Sequence, residues 1–488
     1  MSRPLTVALL QTVVTDTDDL DHASAEQLHR IDEAAAEQPR LIVVPEATRP
    51  TSDAAGRSAD AVSGLAERAR RHRCWIAAGV AVPGADGTPR RALVLLSPDG
   101  SEQARAVESA GDAASAAGGA VAATLDETTV GLLAGEDVRD AEQVARLAEA
   151  DARLLISTCS SAAWGRRPER LPEPESHIFL AARAMEAGAW AVTAGRVGME
   201  ASSRLYAGHS GVVSPRGAWV VRAPSDRPGV VLHTVDLDAT PGAWTGMPAP
   251  NEDTGATIPP ATSVPEPLRV AALALDPLPS AVELMQQLRS IAEATAAQGA
   301  NVMVLPDLAG LDARAVTSAE SLPLLQSLSR ALRVVLAVTL ADRDDGTTYK
   351  TAYMVDDGEV RAAHRQTRLD EAERAAGFTP GVTPPPIVPT SAGNIALLSG
   401  YEGATPALAR GLRARGASLI AWCAGGLGPA VEAVARTRAT EQRLPVAAAG
   451  TATGGGGLLV SGAGAVLAVT VDGHAMSAHG VLTRAMRG

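Results

Sequence analysis

The chain alternates short, fully apolar runs with polar stretches in which apolar residues recur every three or four positions. That is the pattern of buried strands joined by amphipathic helices. Residues 5–11 (LTVALLQ) read as a strand, 22–37 as a helix, and 41–44 as a second strand ending in Pro45 and Glu46. A helix over 61–72 and strands over 75–82 and 92–96 follow. Beyond a stretch without a clear period, strands are expected at 129–133 and 154–157, flanking a helix at 141–150. The half closes with a helix over 176–187, a strand at 191–194, and two strands around the turn Ser214-Pro215-Arg216-Gly217. Strand–helix–strand order with a carboxylate at a strand end predicts an α/β fold.

The same order then restarts. Residues 268–275 match 5–11, Val302–Leu305 with Pro306 and Asp307 match 41–46, and Arg438–Glu441 matches Arg183–Glu186, at offsets of 263, 261 and 255 residues. A nearly constant offset over several features indicates a tandem duplication. The predicted organisation is a first domain over 1–238, a Pro/Gly/Thr-rich linker over 239–267 and a second domain over 268–488.

Composition narrows the function. The chain has 488 residues, 46% hydrophobic and 20% charged, so two sizeable cores are affordable. A net charge of −12 argues against nucleic-acid or anionic-membrane binding, and the basic runs are short, such as residues 68–73. Cys74, Cys159 and Cys423 lack disulfide or zinc spacing, so no metal or cofactor is expected and a reducing cytoplasm is the default. No apolar run is long enough for a membrane span. Lys350 is the only lysine; the Arg, Ala and Gly bias suggests a GC-rich bacterial genome.

The ordered motifs are VALLQ (7–11), VVPEA (43–47), RAMEAG (183–188) and GHSGVVSPRG (208–217) in the first half. The second half has VLPDLAG (304–310), YKTA (349–352), HRQTRL (364–369) and FTPG (378–381). Together they resemble the nitrilase, or carbon–nitrogen hydrolase, superfamily. The resemblance implies two four-layer αββα sandwiches, and a chemistry in which a thiolate attacks an amide or nitrile carbon. A glutamate base and a lysine would assist.

Carried over, the base position is Glu46 in the first half and Asp307, one methylene shorter, in the second. The lysine position falls on Gln366 in the second half and within residues 101–119, where the motif is lost, in the first. By this alignment Lys350 holds the Asn position of a YNTA-like segment and does not replace the lysine. The nucleophile position is Gly135 in one copy and Gly400 in the other, so neither copy can form a covalent intermediate there.

Cys159 and Cys423 read as buried thiols, with a relocated nucleophile as the alternative, and Ser399 is a substitute oxygen nucleophile without a nearby His in sequence. His209 reads as structural, Arg183–Glu186 and Arg438–Glu441 as helical ion pairs, and Gly454–Gly457 as a mobile or closely approached loop. Glu46, Asp307, Tyr401 and Glu402 are the binding candidates. The expected function is an inactive family member acting as a structural, regulatory or assembly partner of other proteins or of itself. A small-molecule amide or carboxylate binder, and an amidase-type hydrolase using non-standard residues, stay open.

Overall fold

The computed structural model describes residues 4–14, 19–48, 50–84, 86–109, 118–158, 162–164, 175–200, 204–239, 264–275, 281–310, 317–425, 427–428, 430–452, 454–470 and 476–483. The chain divides into two compact units, Met1–Gly246 and Met247–Gly488. Most of the expected linker lies outside the described residues, as does Cys159.

In the first unit the strands are β1 (Pro4–Val13), β2 (Leu41–Val44), β3 (Trp75–Pro83), β4 (Pro89–Leu96), β5 (Glu102–Val107), β6 (Val121–Leu125), β7 (Thr128–Leu133) and β8 (Leu154–Ser157). They continue with β9 (Ala162–Trp164), β10 (Trp190–Thr193), β11 (Gly195–Glu200), β12 (Arg204–Ala207), β13 (Gly211–Val213), β14 (Trp219–Arg222) and β15 (Gly229–Asp236). The helices are α1 (Leu20–Ala35), α2 (Ser52–Gly56), α3 (Ser58–His72), α4 (Ala141–Glu149) and α5 (Glu175–Ala187).

One sheet runs β5-β4-β3-β2-β1-β11-β12-β9, with β15 also paired to β1; the other runs β14-β13-β10-β8-β7-β6. Period-two alternation sorts each strand between two faces. Val7, Leu9 and Val43 meet Val130, Leu132 and Ile156 of the opposite sheet. Ala8, Leu10 and Ile42 instead face Ile31 of α1 and Leu65 and Ala69 of α3. Because α4 packs on β7 and α5 on β10, the order of layers is α, β, β, α. Burying each large aliphatic side chain in such a core is worth about 1.5–3 kcal/mol.

The second unit repeats this with β16 (Leu268–Ala274), β17 (Val302–Asp307), β18 (Val335–Asp344), β19 (Thr347–Asp356), β20 (Glu359–Arg365) and β21 (Ile387–Thr390). Its remaining strands are β22 (Gly393–Ser399), β23 (Leu419–Cys423), β24 (Val446–Thr451), β25 (Gly454–Val460), β26 (Val466–Val469) and β27 (Met476–Leu482). The helices are α6 (Ala281–Ala297), α7 (Ser318–Leu332), α8 (Glu371–Ala375), α9 (Pro406–Ala409) and α10 (Ala430–Gln442). The sheets run β20-β19-β18-β17-β16-β27 and β21-β22-β23-β24-β25-β26. Val270, Val304 and Ala337 pack against Ile395, Leu397 and Ala421 between them, while α6 and α7 cover the first sheet and α10 the second. Both units are therefore the αββα sandwiches that the resemblance implied.

Two local readings change. Residues 101–119, which carry no clear period, contain β5, an edge strand of half-exposed polar positions. Gly454–Gly457 opens β25 rather than a loop, and a Cβ at Gly457 would collide with the carbonyl oxygen of Ala272. Close backbone approach is the half of that expectation that the structure shows.

Candidate active site

In both units the family positions gather where β2 or β17 ends against the elbow that follows β7 or β22. Each fully apolar strand delivers a carboxylate into the rim of the inter-sheet space, and Glu46 and Asp307 are both buried.

Near Glu46 stands Arg91 of β4, which sequence reasoning missed. Its Nε lies 3.8 Å from Glu46 Oε1, and its Nη1 lies 3.2 and 3.4 Å from the two carboxylate oxygens of Glu108. Glu108 follows β5 and accepts the backbone N–H of Glu136 at 2.9 Å. Gly135, just before Glu136, has φ +53°, and a Cβ there would run into the Glu108 carboxylate. A glycine satisfies both the backbone and the space. Two residues on, buried Asp137 accepts the Ser109 N–H at 3.0 Å and its hydroxyl at 2.5 Å, anchoring the segment after Glu108 to the elbow.

The second unit builds the same plan with different residues. The Lys350 ammonium is ion-paired with Asp307 and lies 2.5 Å from Glu373 Oε1. The sequence alignment does not assign Lys350 to the site, because backbone position alone does not reveal where a four-carbon stem ends. Arg91 pairs with Ala81 and Lys350 with Ala341 in corresponding hairpins, so the two cations occupy equivalent strand positions. Burial disfavours the ammonium, but the Asp307 and Glu373 carboxylates outweigh it and hold Lys350 above the ordinary lysine range. Glu373 is placed by α8, whose capping box joins Asp370 and Glu373 reciprocally.

Gln366 fills the space over the elbow. Its Nε2 donates to Arg368 O at 2.5 Å and to both Glu373 oxygens at 3.3 and 3.2 Å, while its Oε1 accepts from Ser399 Oγ at 2.8 Å. Gly400 has φ +48°, and a Cβ there would stand 2.6 Å from the Gln366 amide atoms. Ser399 is fully buried and lies 2.8 Å from Thr339 Oγ1; no histidine contacts its hydroxyl among the described residues.

Glu402 is also buried. Its Oε1 accepts from Thr367 N and Oγ1 at 2.7 and 2.9 Å and lies 2.9 Å from His364 Nε2, and its Oε2 accepts from Ser399 N at 3.0 Å. Those contacts lock the elbow to the strand and loop facing it, as Asp137 does in the first unit. Tyr401 is half-buried, and its carbonyl accepts from Thr405 Oγ1 at 3.0 Å. Cys423, at the end of β23, is fully buried, and burial pushes its thiol far above the ordinary range, so it is protonated at neutral pH.

The paired arginines brace the elbows from below. Arg183 donates to the carbonyls of Val138 and Arg139 at 3.0 and 2.7 Å and pairs with Glu186 at 2.6 Å. Arg438 donates to Gly403 O at 3.1 Å and pairs with Glu441. Ser210, beside His209, accepts nothing from the site: its N–H binds Gln11 Oε1 at 3.0 Å and its hydroxyl donates to Leu10 O at 3.1 Å, tying the hairpin to β1. No cluster of His, Cys, Asp and Glu suited to a metal ion occurs among the described residues.

Sequence reasoning did not find Arg91, Glu108, Glu373 or Thr339 as site residues. A signal existed for one of them: Arg91, like Lys350, is a basic residue on the inter-sheet face of its strand, in line with Leu93 and Leu95 as Lys350 is with Ala352 and Met354. Glu108 and Glu373 reach the site from segments with no shared spacing.

The family comparison agrees with this duplicated arrangement. The family model described as Carbon-nitrogen hydrolase matches residues 6–242 and again residues 269–477. No curated relative matches. Among solved structures the chain is similar to an amidase from Nesterenkonia sp., with 20% identity, 48% of this chain and 92% of that chain covered, and a TM-score of 0.41. It is also similar to a carbon-nitrogen hydrolase from Helicobacter pylori G27, with 16% identity, 49% of this chain and 90% of that chain covered, and a TM-score of 0.41. Two successive matches to one family model span nearly the whole sequence, and the chain belongs to the carbon–nitrogen hydrolase family, whose domain it carries twice.

Proposed function

We propose that this protein is a catalytically silent tandem of the family, serving as a structural, regulatory or assembly partner of other proteins in a reducing cytoplasm. The observation that carries the reading is the pair of elbows. At Gly135 and Gly400 a side chain is absent, and the space a Cβ would need is held by Glu108 or Gln366. Acyl transfer by the family route needs a nucleophilic atom there and a cation able to turn towards a developing oxyanion. Each cation, Arg91 or Lys350, instead lies between two carboxylates, which oppose its turning towards new negative charge. Ser399 and Cys423 offer no exposed, activated substitute, and free Cys74 and Cys423 suit a reducing compartment.

One observation favours the small-molecule binder for the first unit: the Arg91 side chain is 24% exposed, against 2% for Lys350. An amide or carboxylate could approach Arg91 without displacing the elbow.

The test is ammonia release from short aliphatic amides and nitriles by the full-length protein. No turnover above a heat-denatured control is expected. Turnover that disappears in Glu46→Ala, Asp307→Ala or Cys159→Ala would overturn the reading. The assembly role is checked by the size of the native species in extract of the source cells; a free single chain there removes it.

A further inference from the structure

Among the described residues, the first unit carries architecture that the second lacks. Strands β11, β12 and β9 extend its first sheet beyond β1, whereas in the second unit β24 passes directly to β25 within the other sheet. This extension holds a charged cluster unrelated to the elbow. Arg196 of β11 is 1% exposed, and its Nε and Nη1 are buried without a hydrogen-bond acceptor. Its guanidinium carbon lies 4.2 Å from the centre of the Tyr206 ring, a contact that offers a π-face but no lone pair for the N–H groups.

The nearby carboxylate does not answer it. Glu200 Oε2 accepts the Tyr206 hydroxyl at 3.0 Å and lies 3.6 Å from Arg204 Nη1, and Arg196 forms no ion pair with Glu200. The hairpin register sets Gly198 opposite Tyr206 and Glu200 opposite Arg204, so all these side chains share one face with Arg196. Among the described residues this face presents the guanidinium groups of Arg196 and Arg204 and the carboxylate of Glu200, and the donors left without an acceptor are those of Arg196. Buried donors of this kind are costly unless an acceptor reaches them.

We propose that this face of the β11–β12 hairpin is an anion site, taking a small carboxylate or inorganic oxyanion that accepts from Arg196. Arg204, 27% exposed, stands at its rim and attracts the ligand. The site is separate from the elbow chemistry and stands whether or not the reading above holds.

The test is thermal unfolding of the full-length protein in sodium chloride, sodium acetate and sodium phosphate at matched ionic strength, followed by tryptophan fluorescence. Five of the six tryptophans belong to the first unit, so the signal reports mainly on it. The midpoint should rise by several degrees, saturably, with acetate or phosphate. In Arg196→Met the rise should vanish while the midpoint in chloride stays equal or increases, since an unpaired buried charge is removed. In Arg204→Gln saturation should need severalfold more anion. Equal wild-type midpoints in the three salts overturn the proposal, as does a rise that survives in Arg196→Met.

Discussion

A glycine with positive φ beneath a packed amide is intolerant of any side chain. For Gly400→Ala we expect a loss of about 1–3 kcal/mol in urea unfolding, from strain at φ +48° and contact with Gln366. Gly400→Cys should lose as much and gain no amidase activity. Lys350→Met leaves Asp307 and Glu373 facing each other in a buried site, and should cost about 3–5 kcal/mol. Adding Asp307→Leu to that variant should recover part of the loss, because two buried carboxylates without the ammonium between them are the main penalty.

His177 makes a pH prediction. It is wedged against the rings of His209 and Trp219, and burial, then the positive neighbours His209 and Arg222, push it down from 6.5 to about 3. The folded form therefore binds fewer protons than the unfolded chain between those values, so stability falls as pH drops below 6.5. The slope should approach ~1.4 kcal/mol per pH unit and shrink by one proton in His177→Phe. A histidine resonance for His177 that titrates near 6.5 in the folded protein would exclude this.

At the level of elements, the elbow is held by the helix beneath it as much as by its own turn. Arg438→Ala removes a buried donor to Gly403 O together with the guanidinium that pairs with Glu441, and should cost about 3–5 kcal/mol. Breaking the exposed Arg289–Glu293 pair on α6 should cost ~0–1 kcal/mol, and comparable losses in the two variants would refute the bracing role. The same scale shows why part of the site was legible and part was not. Apolar strands ending in Glu46 and Asp307 announce themselves by composition. Glu108 could not be found that way, because it follows edge strand β5, whose outward positions are polar and whose inward ones include small Ala104 and Ala106. Lys350 was visible as a residue but not as a participant, since a flexible stem decides its reach. The β11–β12 extension lies between the strand expected at 191–194 and the turn at 214–217, in a stretch where the sequence pattern predicts no element.

For the whole molecule, the repeat offsets foretold two copies of one domain and the family resemblance implied that each is a sandwich; each copy has apolar strands enough for its own inter-sheet core. Leu9→Ala should destabilise the first unit by about 2–5 kcal/mol, and Leu397→Ala the second by a similar amount. In a denaturant series the tryptophan signal should move strongly with the first substitution and weakly with the second. Equal responses would mean that the two cores melt as one.

The burial of Lys350 has a practical consequence. It is the chain's only lysine and is 2% exposed, so the folded protein presents no lysine amine to an acylating reagent. A reactive ester, or a protease cutting only after lysine, can act within the chain only when the second unit opens. The rate of modification at this one side-chain amine is then a direct clock for that opening, readable from the mass of the peptide that carries Lys350 without any introduced label.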